Sequence, residues 1–192
     1  MNVDMFAIGS YIKDLNCDLE ELKKFSLWCE KNETSSVRSN LSGYQSPSLD
    51  VNLEVLKSLI EKLNENVKEY SHTLNLKDNL QLSRLWINVN RFKDSNRLHR
   101  HPQSIISGVF YIKTPENCGD LCFEPIDRIE DYWMTSDMVA YNQYNSPNFC
   151  LHPIENHCIL FPSWLNHLVK PNLNETEERI SISFNYNYGR LS

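Results

Sequence analysis

Three histidines in the second half of the chain have the side-chain type and the spacing of a transition-metal site. His99 and His101 are two residues apart, so both imidazoles project from one face of an extended segment. Pro102 favours such a segment, because a proline pushes the residue before it towards an extended conformation. Neutral imidazoles are suitable ligands for a borderline metal such as iron. The same pattern is compatible with two surface histidines that bind no metal.

The third histidine, His167, follows a predicted strand and an aromatic-rich corner. It is either a third metal ligand or a corner histidine that bonds to the backbone. Three large aromatic residues, Trp133, Tyr141 and Trp164, either shape the mouth of a site or pack in the core.

The C-terminal segment from Arg179 to Tyr188 alternates between apolar and polar side chains with the period of a strand. Its apolar face must pack against a core or a helix layer. Arg179 and Ser181 lie side by side on its polar face, where a guanidinium fork and a hydroxyl group could bind a carboxylate. The alternative is a polar sheet face that is exposed to solvent.

The elements that must position these residues change type along the chain. Asp18 and Glu21 form a predicted capping box at the start of a first helix. Apolar residues then recur at gaps of three and four from Leu49 to Leu74, which predicts a second helix with one buried stripe. We read no cofactor site into that stripe.

From Leu82 onward the apolar pattern has a period of two. Helices followed by many short strands predict a sheet sandwich or barrel with helices packed on one side. The predicted strands cover 82–90, 105–112, 121–123, 138–141, 158–161 and 179–188.

Composition limits the classes of partner. The net charge of −6 argues against nucleic acid, which usually requires a basic stripe. The basic residues are scattered, with one local cluster that could serve a small anion or only face solvent: Arg91, Lys93, Arg97 and Arg100.

The sequence also predicts a cytoplasmic protein without a membrane partner. No apolar run approaches the roughly 20 residues that span a bilayer, and the N-terminus does not have the pattern of a signal peptide. The six cysteines form no CxxC pair, so we expect reduced and mostly buried thiols. The oligomeric state is not readable.

Several segments together resemble a family of 2-oxoglutarate/iron(II) oxygenases that occurs in bacteria and their marine phages. They are, in family order, the loop 39–46 (SNLSGYQS), the strand 86–88 (WIN), the His-x-His at 99–101, 107–112 (SGVFYI), 161–164 (FPSW) leading to His167, and 179–185 (RISISFN). The resemblance covers about residue 37 to the C-terminus.

The resemblance implies a mainly β protein with N-terminal helices, built on a double-stranded β-helix of the jelly-roll or cupin-like type. Residues 1–192 would form a single oxygenase domain, with helical support and a loop over 1–80 and the barrel core over 81–192. The implied cofactors are iron(II) and 2-oxoglutarate.

The resemblance also implies an iron site. His99 corresponds to the first ligand of the superfamily and His167 to the distal one, while His101 stands where the superfamily usually has an acid. A site of three histidines is chemically sound, although it has one negative charge fewer. The alternative is that His101 is a ligand and that His99 only lines the pocket. Asn156 replaces the family's glycine before the strand at 158–161, and asparagine tolerates the left-handed backbone that such a turn needs.

For the co-substrate, the resemblance implies that Arg179 binds the far carboxylate of 2-oxoglutarate with Ser181 beside it. Tyr111 looks like the tyrosine that related prolyl hydroxylases use on the same carboxylate. Asn88 and Asn90 are further candidates for this pocket.

The implied activity is that of a dioxygenase, of hydroxylase type, which acts on a small molecule or a peptide that the sequence does not specify. Two alternatives stay open. One is a three-histidine iron enzyme that works without 2-oxoglutarate, such as a cupin-like isomerase. The other is a non-catalytic metal- or ligand-binding barrel.

Overall fold

Two antiparallel sheets and two helices make up the described part of the chain. In the computed structural model, residues 7–125, 136, 138–142 and 144–189 are described. The helices are α1 (Leu19–Asn32) and α2 (Glu54–Thr73), and the strands are β1 (Tyr11–Asp14), β2 (Tyr44–Gln45), β3 (Leu80–Asn90), β4 (Asn96–His99), β5 (Ile106–Lys113), β6 (Leu121–Glu124), β7 (Phe149–Leu151), β8 (His157–Pro162), β9 (Asn166–Val169) and β10 (Arg179–Tyr188). None of these helices is long and apolar enough to cross a membrane.

The strands form a larger and a smaller sheet. The six-stranded sheet has the order β1-β8-β5-β10-β3-β2, and the four-stranded sheet has the order β4-β9-β6-β7. Every pairing between neighbouring strands is antiparallel. Side chains from both sheets meet in an apolar cluster that includes Tyr111 and Phe161 from the larger sheet and Phe123 from the smaller one. The architecture is that of a double-stranded β-helix, as expected from the sequence.

The two faces of the larger sheet are chemically different. On β10, Ile180, Ile182 and Phe184 are fully buried in a core that also contains Leu56 and Leu63 of α2. This outer core is where the helices pack. The polar residues of β10 therefore face the smaller sheet, which confirms the expectation that the apolar face packs on a helix layer.

The predicted helices are confirmed, with one changed boundary. Asp18 caps α1, because its side chain accepts a hydrogen bond from the Glu20 amide. The second helix begins at Glu54 and not near Leu49. The reason is that the Leu49 amide donates to the Leu85 carbonyl oxygen at 2.8 Å, which ties this residue to the sheet.

The strand predicted at Met138–Tyr141 is wrong, since residues 138–142 have no regular structure. Polar side chains satisfy the backbone locally here: Asn145 Nδ2 donates to the Ala140 carbonyl oxygen at 3.0 Å, and the Tyr144 amide donates to Asn142 Oδ1 at 2.8 Å. Such bonds compete with sheet formation. Among the residues that the structure describes, β7 is the next strand that pairs with β6.

The expectation that all cysteines are reduced is wrong for one pair. Cys122 and Cys150 form a disulfide between directly paired positions of β6 and β7. The remaining four cysteines are free, and Cys29, Cys118 and Cys158 are buried as expected.

Candidate metal centre

Three imidazole rings meet between the two sheets. His99 ends β4 and lies directly opposite His167 in β9. His101 follows two residues later, and its amide donates to the Ser163 carbonyl oxygen at 3.0 Å. The ring centroids are 4.2 Å apart for His99 and His167 and 5.0 Å apart for His101 and His167. One ring nitrogen of each histidine lies within 4.8 Å of the others.

Local hydrogen bonds fix the tautomers of His99 and His167. Nδ1 of His99 is 2.8 Å from the Arg97 carbonyl oxygen, and Nδ1 of His167 is 2.9 Å from the Leu165 carbonyl oxygen. A carbonyl oxygen only accepts, so Nδ1 carries the proton in both rings. The lone pair of Nε2 is therefore free for a metal ion, an arrangement typical of metal-binding histidines.

His101 is oriented in the same way by a side chain. Its Nδ1 is 2.7 Å from Asn185 Oδ1, which also accepts a hydrogen bond from Ser107 Oγ at 2.8 Å. The hydroxyl of Ser107 is in turn 2.7 Å from Ser163 Oγ. His101 Nε2 is buried and has no hydrogen-bond partner among the described residues. A buried, unpaired acceptor of this kind fits a metal ligand.

Burial keeps the three imidazoles neutral. Removal from water is the main cause that lowers the pKa of His101 to about 4 and that of His167 to about 3, and it also lowers the pKa of His99. The neighbouring imidazoles contribute to the lowered values of His101 and His167, because two adjacent cations would repel each other. Only the neutral ring has the lone pair that a metal ion requires.

The residues predicted for the co-substrate face the same cavity as the three histidines. Ser181 on β10 is paired with Asn88 on β3 and with Tyr111 on β5, and Arg179 is paired with Asn90. All eight predicted site residues line this cavity: Asn88, Asn90, His99, His101, Tyr111, His167, Arg179 and Ser181. The register of three adjacent strands thus brings together residues that are far apart in the sequence.

Arg179 is a buried cation with one free end. Its side chain is almost completely buried, which lowers the pKa of the guanidinium. Nη1 donates to the Cys118 carbonyl oxygen and to the Gly119 carbonyl oxygen, at 3.1 Å in the second case. Nη2 is buried without a partner, and no ion pair to Arg179 occurs in the described segments. Because an isolated buried charge is costly, a carboxylate ligand fits this position.

A tight turn at 118–119 provides the carbonyl oxygens that bind Nη1 of Arg179. Gly119 has a φ of +85°, and a Cβ atom at this position would clash with the Lys170 carbonyl oxygen. Only glycine combines this conformation with so close a contact. The turn at 118–119 is therefore part of the arginine's support, which the sequence did not indicate.

Two hydroxyl groups line the same cavity as the guanidinium. Tyr111 and Ser181 are buried, and neither hydroxyl has a hydrogen-bond partner within the part of the chain that the structure describes. Burial raises the pKa of Tyr111, so its hydroxyl stays protonated and can donate. Asn88 is already engaged, since its Nδ2 donates to Ser183 Oγ at 3.0 Å.

Sequence reasoning missed Asn185 and Trp86 as parts of the site. Asn185 belongs to the polar face of β10, so the alternation that identified Arg179 would also have identified it. Trp86 stacks on His101 with ring centroids 5.7 Å apart. Trp164 is 47 % exposed and Tyr141 is 52 % exposed, and neither lines the cavity; Trp133 lies outside the described residues.

Comparison with known sequences identifies the family. Residues 84–185 match the family described as "Putative 2OG-Fe(II) oxygenase", which covers more than half of the chain. No protein of curated function is detectably similar in sequence. The chain belongs to this family of 2-oxoglutarate- and iron(II)-dependent oxygenases, and its cofactors are iron(II) and 2-oxoglutarate.

Solved structures show the same fold at low sequence identity. A Pseudomonas putida prolyl-4-hydroxylase is 13 % identical with a TM-score of 0.66, covering 95 % of this chain and 94 % of that one. The non-heme alpha-ketoglutarate-dependent epimerase SnoN from nogalamycin biosynthesis is 12 % identical with a TM-score of 0.70, covering 94 % and 77 %. A prolyl hydroxylase from Trichoplax adhaerens, in complex with a hypoxia inducible factor peptide fragment, is 14 % identical with a TM-score of 0.61, covering 93 % and 83 %.

Proposed function

We propose that this oxygenase is a hydroxylase whose iron(II) is bound by His99, His101 and His167 and whose 2-oxoglutarate is bound through Arg179. Tyr111 and Ser181 would assist on the co-substrate carboxylate, with Asn88 and Asn90 lining the same pocket. One observation carries the proposal: three imidazoles with free Nε2 atoms and a guanidinium with a free Nη2 atom line a single cavity.

The charges of the two halves of the site complement an iron(II)–2-oxoglutarate pair. All three imidazoles are neutral, so a bound metal ion keeps its full charge of 2+ until an anion arrives. The co-substrate is a dianion. One carboxylate would face the metal ion and the other would face the buried cation of Arg179, so that both charges are compensated where water is excluded.

The overall reaction balances without a further reductant. Substrate C–H, 2-oxoglutarate and O2 give substrate C–OH, succinate and CO2. The iron supplies oxygen activation, and the protein supplies orientation and shielding. Arg179 and Tyr111 orient the co-substrate, the Nδ1–H bonds orient the ligands, and Trp86 with Phe161 keeps water away from the histidines.

The two alternatives lose support. A three-histidine enzyme without 2-oxoglutarate leaves the Nη2 atom of Arg179 buried and unpaired. Membership of an oxygenase family disfavours a non-catalytic metal- or ligand-binding barrel.

Succinate formation tests the proposal. The iron(II)-loaded protein is incubated with 2-oxoglutarate and ascorbate in air, so that ascorbate supplies the two electrons that a substrate C–H bond supplies in the full reaction. We expect succinate from the parent and no succinate above background from His167→Ala. His152→Ala is the matched control. His152 follows β7, its exposed side chain contacts Asp120, and it does not line the cavity. Full iron occupancy in His167→Ala would show that the ligand set is wrong, and an iron-loaded parent that forms no succinate would contradict turnover.

The extent of the domain, the class of substrate and the location of the protein are further parts of the proposal. We propose that residues 1–192 act as one oxygenase domain on a small molecule or a peptide, without nucleic acid. A cytoplasmic location stays a prediction. The Cys122–Cys150 disulfide bears against it, since disulfides are uncommon in reducing compartments.

A further inference from the structure

We propose that the groove beside the metal centre binds the anionic part of the substrate, and that the substrate is a small molecule with at least two phosphate or carboxylate groups. This inference rests on the proposed function, because it names the substrate class of the same oxygenase. The groove shares His99 and His101 with the inner cavity, but its arginines line neither the metal centre nor the 2-oxoglutarate pocket.

The groove is strongly basic. It adjoins His99 and His101, and four arginines line it: Arg38, Arg84, Arg97 and Arg100. No aspartate or glutamate is among its described lining residues. The chain as a whole has a net charge of −6, whereas the lining of this groove is positively charged. A cleft lined by one sign of charge concentrates ligands of the opposite sign.

Among the described residues, these arginines have no acidic partners. None of the four takes part in an ion pair within the described segments, whereas Arg91 contacts both Glu30 and Glu178. Of the basic cluster in the sequence, Arg97 and Arg100 line the groove, and Arg91 and Lys93 do not. The positive charge of the groove is therefore available to a ligand, whereas the charge of an arginine in an ion pair, such as Arg91, is already compensated.

The arginines are positioned by the same elements as the metal site. Arg84 on β3 is paired with Asn185, the residue that accepts from His101 Nδ1. The carbonyl oxygen of Arg97 accepts the hydrogen bond from Nδ1 of His99. The Nη2 atom of Arg97 donates to the Arg38 carbonyl oxygen at 3.0 Å. A substrate anchored here has its anionic groups next to the two ligands, and the rest of the molecule is within reach of the metal.

A buried amide points to a polar ligand as well. Gln45 lines the groove and is 6 % exposed, and its Oε1 has no hydrogen-bond partner in the described structure. A buried unpaired acceptor is unfavourable until a donor occupies it. A hydroxyl or N–H group on the substrate would satisfy it. Trp86 lines both the groove and the inner cavity, so the two spaces adjoin each other at this residue.

The size of the basic region favours a small molecule over a nucleic acid. The four arginines are confined to one groove, and the acidic balance of the remaining chain would repel a long polyanion. The 2-oxoglutarate dianion has its own cation in Arg179, which does not line the groove. The four arginines are thus left for the substrate.

Calorimetry with matched probes tests the inference. The protein is saturated with manganese(II) and 2-oxoglutarate, which fills the inner pocket without turnover. Fructose 1,6-bisphosphate is compared with fructose, and acetyl-Asp-Asp-amide with acetyl-Asn-Asn-amide, so each anion has a neutral counterpart. We expect at least one anionic probe to bind roughly 10-fold or more tightly than its counterpart, and to weaken as salt is raised. The probe that binds identifies phosphate or carboxylate as the recognised group.

Charge reversal locates the binding. Arg84→Glu/Arg100→Glu should weaken the anionic probe by roughly 10- to 100-fold. Lys24→Glu/Lys68→Glu changes the net charge equally at exposed positions of α1 and α2, and should bind like the parent. The inference is overturned by equal loss in both variants, by equal binding of neutral and anionic probes, by no binding at millimolar concentration, or by tighter binding of a short single-stranded DNA.

Failure of the inference is separable from failure of the proposed function. Metal and 2-oxoglutarate titrations and succinate formation report on the inner cavity alone. If the protein forms succinate but binds neither anionic probe, it has the proposed function and its substrate is not anionic. A protein that binds an anionic probe through Arg84 and Arg100 but forms no succinate has the groove without the proposed function.

Discussion

Asn185 Oδ1 lies 2.7 Å from Nδ1 of His101 and fixes the tautomer that leaves Nε2 free. The two residues are 84 positions apart, and β10 brings them together. His99 and His167 use backbone carbonyl oxygens for the same purpose. His101 is therefore the one of the three histidines whose orientation depends on a side chain.

Asn185→Ala should weaken iron(II) binding by roughly 10- to 100-fold, the usual range for loss of a partner that orients a metal ligand. Asn185→Asp keeps the acceptor oxygen and should retain the affinity of the parent or exceed it. Metal titration under anaerobic conditions measures both. Asn187→Ala is the control, because Asn187 is the next residue on the same face of β10 and does not contact His101. Equal affinity of Asn185→Ala and the parent would refute this role.

Arg179→Ala should lose 2-oxoglutarate affinity while it keeps metal. A charge-assisted bidentate partner is worth a few kcal/mol, or on the order of 100-fold in affinity. Calorimetry on the metal-loaded protein gives the dissociation constant, and Arg91→Ala is the matched control at an exposed arginine. Unchanged affinity for 2-oxoglutarate would show that Arg179 does not bind the co-substrate.

Tyr111→Phe is a gentler test of the same pocket, since it removes one hydroxyl and preserves packing. We expect 2-oxoglutarate binding to weaken by roughly 10-fold or more, the value of about one hydrogen bond to a charged group. This variant remains informative if Arg179→Ala does not fold, because Arg179 also binds the turn at 118–119.

We expect His101 to determine how strongly metal and co-substrate depend on each other. With three neutral ligands, the metal ion keeps its full 2+ charge until the near carboxylate of the co-substrate reduces it, so each partner should bind better when the other is present. His101→Asp supplies a negative charge, and should tighten metal binding without 2-oxoglutarate and reduce this coupling. His101→Ala should weaken metal binding by roughly 10- to 100-fold or more. Metal titrations of the three proteins, with and without 2-oxoglutarate, give the coupling. Parental iron binding by His101→Ala would make His101 a pocket residue.

The Cys122–Cys150 disulfide should contribute about 3 to 4 kcal/mol to the free energy of unfolding, given its sequence separation of 28 residues. Denaturant unfolding of Cys122→Ser/Cys150→Ser against the parent measures it. Dithiothreitol should lower the stability of the parent to that of the variant, and Cys17→Ser controls for loss of a free thiol. A parent that is insensitive to dithiothreitol would show that the bridge does not form.

The sequence predicted much of this fold because its long elements are strongly periodic. The alternation along β10 was visible from Arg179 to Tyr188, and its two faces are as expected. The stripe of α2 was visible for the same reason. The strands that were missed, β1, β2, β4, β7 and β9, have two to four residues each, so that almost no period can be recognised in them. β6 is equally short and was predicted, because a turn signal precedes its apolar residues.

The residues of the candidate site, which line one cavity, could be proposed from the sequence, but the hydrogen bonds that hold them in place could not. His99, His101, His167 and Arg179 were identified by residue type and by resemblance to the family. The hydrogen bonds that orient them are made by backbone carbonyl oxygens and by residues distant in sequence. Since every residue has a carbonyl group, residue type carries no information about which of them is used. The disulfide was missed because its cysteines meet only after β6 and β7 pair.

The irregularity between β3 and β10 bears on which changes in length the chain can tolerate. Asn185 is paired with Arg84, but Tyr186 is paired with Leu82, so Ser83 is an extra residue in β3. This bulge returns Leu82 and Leu80 to the outer core. Deletion of Ser83 would leave the facing residues matched. Deletion of one residue between Ile87 and Asn90 would instead turn apolar side chains towards the metal and asparagines towards the helices. Homologous sequences should therefore vary in length at position 83 and not at 87–90.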